Sequence, residues 1–170
     1  MGFGQNLSAD TFGGWKNHFQ RMERWKQRCL AALEKDYGEE ASCDVVDFAL
    51  SYFVWCHSMR EWLTEGNAIE QSVLDEDLKK HAEWKICRDI ANRCRHYNLR
   101  MNPTDKDWSI GREFDPFATS ENALPRYKIF LIFNDEKLEL VPILTNTHQM
   151  WKSILSAHGL NLETINERFA

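Results

Sequence analysis

Val45-Val46-Asp47-Phe48-Ala49-Leu50-Ser51-Tyr52-Phe53-Val54-Trp55-Cys56-His57-Ser58-Met59-Arg60-Glu61-Trp62-Leu63 is the stretch that decides the fold. Its apolar side chains recur at spacings of three and four, which predicts a helix, and they almost encircle it. So little polar surface remains that the helix is expected at the centre of a bundle. It is predicted to run from about Ser42 or Asp44, with Asp44 as its cap, to Leu63, where Gly66-Asn67 stops it.

The flanking segments supply its partners. Phe12, Trp15, Phe19, Met22, Trp25, Cys29, Leu30 and Leu33 keep the same period, predicting a preceding helix that ends near Gly38 and carries Lys16, Arg21, Arg24, Lys26 and Arg28 on its other face. A shorter helix is expected over 68–80. A fourth is expected over 82–98, packed through Trp84, Ile86, Ile90, Ala91, Cys94 and Tyr97. Four antiparallel helices joined by short turns make a bundle.

After Asn102-Pro103 the pattern changes to period two and to continuous apolar runs. Trp108–Phe114, Tyr127–Phe133 and Leu138–Leu144 read as strands of a small antiparallel sheet, the last two joined through Asn134-Asp135-Glu136-Lys137. Tyr127–Phe133 is apolar on both faces, which suits a strand covered by helices on one side and by the tail or a partner subunit on the other. A last helix is predicted from Thr145 through Trp151 to Gly159, with a final turn to Phe169. The expected fold class is therefore α+β, mainly α. Residues 1–11 form an arm and 12–170 one domain: an antiparallel helical bundle (12–100), a small antiparallel β-sheet with its hairpin (104–144) and a C-terminal helix (145–170).

With 170 residues and 43% hydrophobic content, the chain is long enough for one sizeable core. The net charge of −5 argues against a surface that grips nucleic acid by general electrostatics, so any such contact must be local. No run is long and apolar enough for a membrane span, and the N-terminus lacks a basic segment followed by an apolar core, so the expected location is cytoplasmic, with no membrane partner. Cys29, Cys43, Cys56, Cys87 and Cys94 form no C-x-x-C pair, and reduced thiols are expected. Their spacing with His57 and His96 does not fit a zinc site; no metal and no cofactor is expected.

Polar residues gather at one place. On the fourth helix Asp89, Asn92 and His96, at i, i+3 and i+7, share a face, flanked by Arg88 and Arg93. The second helix carries His57, Arg60 and Glu61 amid apolar neighbours. If the two helices pack antiparallel, His57 and Glu61 meet Asp89, Asn92 or His96, because burial without partners costs a few kcal/mol per group.

The pattern His57-x-x-x-Glu61-Trp62 followed by Cys87-Arg88-Asp89-Ile90-Ala91-Asn92-x-x-Arg95-His96 resembles HEPN-like proteins, helical bundles common in bacterial defence, toxin and RNA-processing systems. The resemblance covers roughly residues 12–100. In ribonuclease members of that superfamily an arginine and a polar residue precede a histidine on one helix, and two such helices meet in a dimer. Arg88 and Asp89 would match the first two positions and His96 the third, across seven intervening residues where about four to six are usual. Eight positions place Arg88 and His96 about 80° apart on a helix.

The resemblance implies RNA as a target, a homodimer, and metal-independent chemistry with His96 as general base or acid and Arg88 on the phosphate. Asp89 and Asn92 would orient the imidazole, with His57, Glu61, Arg93 and Arg95 binding or orienting around them. Other HEPN-like domains act as inactive interaction modules, sensing or neutralising a protein partner in a bacterial or phage conflict system. On that alternative the stripe is a structural network that fixes helix register, with Asp89 pairing Arg93 and His57 bonding Glu61.

Overall fold

The computed structural model describes residues 13–34, 39–96, 102–115 and 126–162. Among them the chain forms α1 (Gly14–Glu34), α2 (Glu39–Glu65), α3 (Gln71–Lys79), α4 (Ala82–Arg95), β1 (Ser109–Asp115), β2 (Arg126–Phe133), β3 (Glu136–Glu139) and α5 (Leu140–Ala157). The class is α+β and mainly helical, as the sequence predicts. The expected arm at 1–11, the positions of Tyr97 and Asn98, and the final turn to Phe169 lie outside the described residues.

The apolar periods bring α1 and α2 together as an antiparallel pair. Trp25 meets Phe48 with ring centroids 5.8 Å apart, while nearer the start of α1 His18 sits between Trp55 (4.9 Å) and Trp62 (5.0 Å). Packed against the other flank of α2, α4 also runs antiparallel: the Cys87 thiol donates to the Phe53 carbonyl at 3.4 Å, and His57 stacks on Trp84. Tyr52, Phe53, Met59 and Leu63 are sealed between these helices, and burial of each such side chain contributes about 1.5–3 kcal/mol.

Three helix boundaries correct the sequence expectations. α2 begins at Glu39, so Asp44 is an exposed residue within the helix and not its cap. α2 lies at the centre of the bundle as expected, in contact with α1, α3, α4 and α5, and is exposed at Asp47, Glu61 and Glu65 toward its ends. α3 starts at Gln71, where the Glu70 carboxylate accepts the Val73 amide at 3.0 Å. α4 stops at Arg95.

Leu138–Leu144 is not a strand. β3 ends at Glu139 and α5 starts at Leu140, five residues before the predicted start. Pro142 falls in the first helical turn, where its missing N–H has no intrahelical partner to lose. Leu140, Ile143, Leu144, Thr147, His148 and Trp151 are all buried, the period of a helix. Tyr52 fastens this helix to α2 through its hydroxyl, which donates to the Leu144 carbonyl at 3.0 Å.

The strands form an antiparallel sheet in the order β1-β2-β3, with Gly111 opposite Phe130 and Leu131 opposite Leu138. Asn134 and Asp135, with φ of 50° and 61°, make the two-residue hairpin turn that matches strand twist, so the predicted four-residue connection is shorter by two. Ile129, Leu131 and Phe133 are buried, whereas Lys128 and Ile132 are exposed. On that outer face Lys137 lies 4.3 Å over the Phe130 ring and pairs with Glu113. Gly111 leaves room for the ring, since a Cβ there would lie 2.6 Å from it and force it to shift. No helix among the described residues is long and apolar enough to cross a membrane.

Candidate functional site

The polar stripe of α4 meets the segment that leads into the sheet. Asp89 is 1% exposed. One carboxylate oxygen accepts the Arg88 guanidinium at 2.9–3.0 Å, and the other accepts the backbone amides of Thr104 at 2.5 Å and Asp105 at 2.9 Å. Arg88 also donates to the Thr104 hydroxyl at 3.0 Å. Burying a carboxylate is costly unless it is paired and hydrogen-bonded, and here an adjacent cation and two oriented N–H groups compensate it.

A second carboxylate extends the chain of contacts. Asp105 accepts the Asp107 amide at 2.7 Å and the Asn134 amide at 2.8 Å. From α4 to residues 104–105 and on to the β2–β3 turn, two aspartates thus tie the bundle to the hairpin. Thr104 stands on the rim of an open groove of about 570 Å³ between the start of α4, the hairpin and the start of α5. Its walls mix apolar Ile86, Phe133 and Ile143 with Lys85, Glu83 and Glu139.

Farther along α4, Asn92 accepts Arg95 at 2.9 Å, and the same guanidinium nitrogen lies 3.0 Å from His57 Nδ1. Arginine offers donors only, so His57 Nδ1 is the acceptor and the ring is neutral, with its proton on Nε2. The imidazole stacks on Trp84 at 5.3 Å with 3° between planes. Its pKa is lowered to about 4, first by burial and then by the charges of Arg95, Arg60 and Arg88. Arg60 pairs in bidentate fashion with Asp75 on α3, at 2.6 and 2.7 Å.

The remaining predicted site residues stand apart. His96 is the C-cap of α4, with extended dihedrals of −133° and 131°, and is exposed; its amide donates to the Asn92 carbonyl at 2.9 Å. The face shared by Asp89, Asn92 and His96 therefore ends before His96. Eight positions also separate Arg88 and His96 by about 12 Å of helix rise. Glu61 and Arg93 are exposed, and among the described residues neither side chain joins the network. Asp89 pairs with Arg88 instead of Arg93, and His57 with Arg95 instead of Glu61.

Sequence reasoning missed two buried histidines beneath α1. His18 bonds the Trp55 carbonyl through Nε2 at 2.8 Å, and burial lowers its pKa to about 4. His148 Nε2 on α5 lies 2.6 Å from the Glu23 carboxylate; burial lowers its pKa to about 4 against the opposing pull of Glu23. Both occupy apolar positions of helical periods, a signal open to reading: His18 precedes Phe19 on the inner face of α1, and His148 lies between Leu144 and Trp151. No family model, no curated protein and no solved structure matches this chain.

Proposed function

We propose that this protein is a non-catalytic interaction module in which Arg88 and Asp89 of the α4 stripe fasten the bundle to the segment that leads into the sheet. Asp89 is the observation that carries this reading: a carboxylate 1% exposed, satisfied by Arg88 and two backbone amides. Arg88 already commits its Nε and Nη2 donors to Asp89 and Thr104, and drawing it away from that buried carboxylate would cost about 3–5 kcal/mol. The imidazole nearest the network, His57, accepts from Arg95 and is stacked on Trp84. Within the HEPN-like resemblance, this arrangement sides with the members that bind partners rather than with those that cut RNA.

The test is cleavage of several labelled RNAs, structured and single-stranded, in chelator and without divalent metal. Wild type, Arg88→Ala and His96→Ala are all expected to leave the RNAs intact. Cleavage by the wild type that disappears in His96→Ala would reverse the assignment and make His96 a catalytic residue.

A further inference from the structure

α1 carries five basic residues, Lys16, Arg21, Arg24, Lys26 and Arg28, against Glu23 and Glu34, in a chain of net charge −5. Arg21, Arg24 and Arg28, at i, i+3 and i+7, fall within about 60° of arc and span about 10 Å along the helix. Arg24 and Arg28 are exposed, and among the described residues neither forms an ion pair. Glu23 lies about 100° around the helix from Arg24, its carboxylate accepting Gln27 at 2.7 Å and lying 2.6 Å from His148, so the five bases of α1 outnumber its acids on this face. Like-charge crowding is felt inside the row: the Arg21 pKa is lowered by burial and then by Arg24.

Two of these guanidinium groups are held in place by aromatic rings. Arg28 lies 4.5 Å over Trp25 and Arg21 5.7 Å over Trp55. A guanidinium on an aromatic ring keeps N–H edges for planar, bidentate recognition of a carboxylate and loses less side-chain entropy on binding. We infer that this face of α1 docks an acidic peptide segment of a partner protein, its carboxylates meeting Arg24 and Arg28 with Arg21 beside them. The inference rests on the interaction-module reading and gives it a partner chemistry.

A nucleic acid fits the face less well. Base stacking needs open aromatic faces, and Trp25 and Trp55 are each covered on one side by the protein's own arginine. A polyphosphate strand also continues past a row of about 10 Å into the field of a chain with net charge −5, whereas two or three helical turns of acidic peptide do not.

Fluorescence anisotropy with the full chain tests this. The probe is a helical peptide of about sixteen residues with glutamates at i, i+3 and i+7, beside its glutamine counterpart and a single-stranded RNA of equal charge. Saturable binding of the glutamate peptide is expected, weakening as salt rises, and at least tenfold weaker for the glutamine peptide and for the double variant Arg24→Glu, Arg28→Glu. Lys79→Glu with Lys80→Glu at the C-terminal end of α3 is expected to leave binding unchanged. Loss of all binding by the wild type, indifference to the arginine reversals, or tighter binding of the RNA overturns the inference. RNA cleavage in the previous assay would remove the module reading and leave this titration as it stands, so the two failures are distinguishable.

Discussion

α4 and α1 are both rich in arginine, and they dispose of it in opposite ways. On α4, Arg88 is paired with the buried Asp89, and Arg95 is held by the neutral Asn92 and His57, so the fold engages both side chains although Arg93 stays exposed. On α1, Arg24 and Arg28 are exposed above tightly packed tryptophans and histidines, so their charge remains available. Residue type therefore does not mark the functional surface. What marks it is whether each charge already has a partner, and partners come from distant segments: the loop at 104–105 completes Asp89, while Glu23, the one acid inside the basic stretch of α1, is engaged with Gln27 and His148.

The largest expected effect concerns three neutral histidines: His18 on the inner side of α1, His148 facing it from α5, and His57 between α2 and α4. His18, His57 and His148 each have pKa values lowered from 6.5 to about 4 in the folded chain. Between pH 6.5 and 4 the unfolded chain binds more protons than the folded one, so stability is fully present above the unfolded pKa and lost as pH falls. His18 is fully buried and alone contributes about 3 kcal/mol of this loss by pH 4. Urea denaturation at pH 7, 6, 5 and 4 should show a steep decline, made shallower by His18→Phe. A flat profile between pH 7 and 5 would mean that the histidines are not held neutral.

Next in size is the clamp on α4. Asp89→Ala leaves the Thr104 and Asp105 amides without their acceptor and Arg88 without its counter-charge, which is expected to cost about 2–3 kcal/mol in urea denaturation. Hydrogen exchange at the Asn134 amide should quicken in the same variant, since Asp105 is what bonds it. A loss below about 1 kcal/mol would break the contrast between α4 and α1, because the charge of α4 would then be as unspent as that of α1.

How much of this was legible in the sequence follows from the range of each interaction. The periods of α1, α2 and α4 are local and were readable, as was the hairpin at Asn134-Asp135. The end of α4 was not, because Arg93, Cys94 and Arg95 continue the polar pattern into His96 with no glycine to stop it. Leu138–Leu144 misled because a short apolar run has no decisive period, although Pro142 argued against a strand and the buried positions from Leu140 onward already kept helical spacing. For the site, sequence singled out Asp89 and Asn92 as a polar face. It could not supply Thr104 and Asp105, whose amides reach Asp89 from fifteen and sixteen residues away.

The smallest effect separates binding from folding most cleanly. Reversing Arg24 and Arg28 removes no buried contact except the packing of Arg28 on Trp25, and exposed charges away from ion pairs usually contribute within about 0.5 kcal/mol. The relief of crowding around Arg21 acts in the opposite direction. The double variant should therefore unfold within about 0.5 kcal/mol of the wild type at pH 7, measured in the same urea titrations, while losing peptide binding at least tenfold. A variant destabilised as much as Asp89→Ala would show that α1, like α4, spends its arginines on the fold, and the surface would then have no charge left to offer a partner.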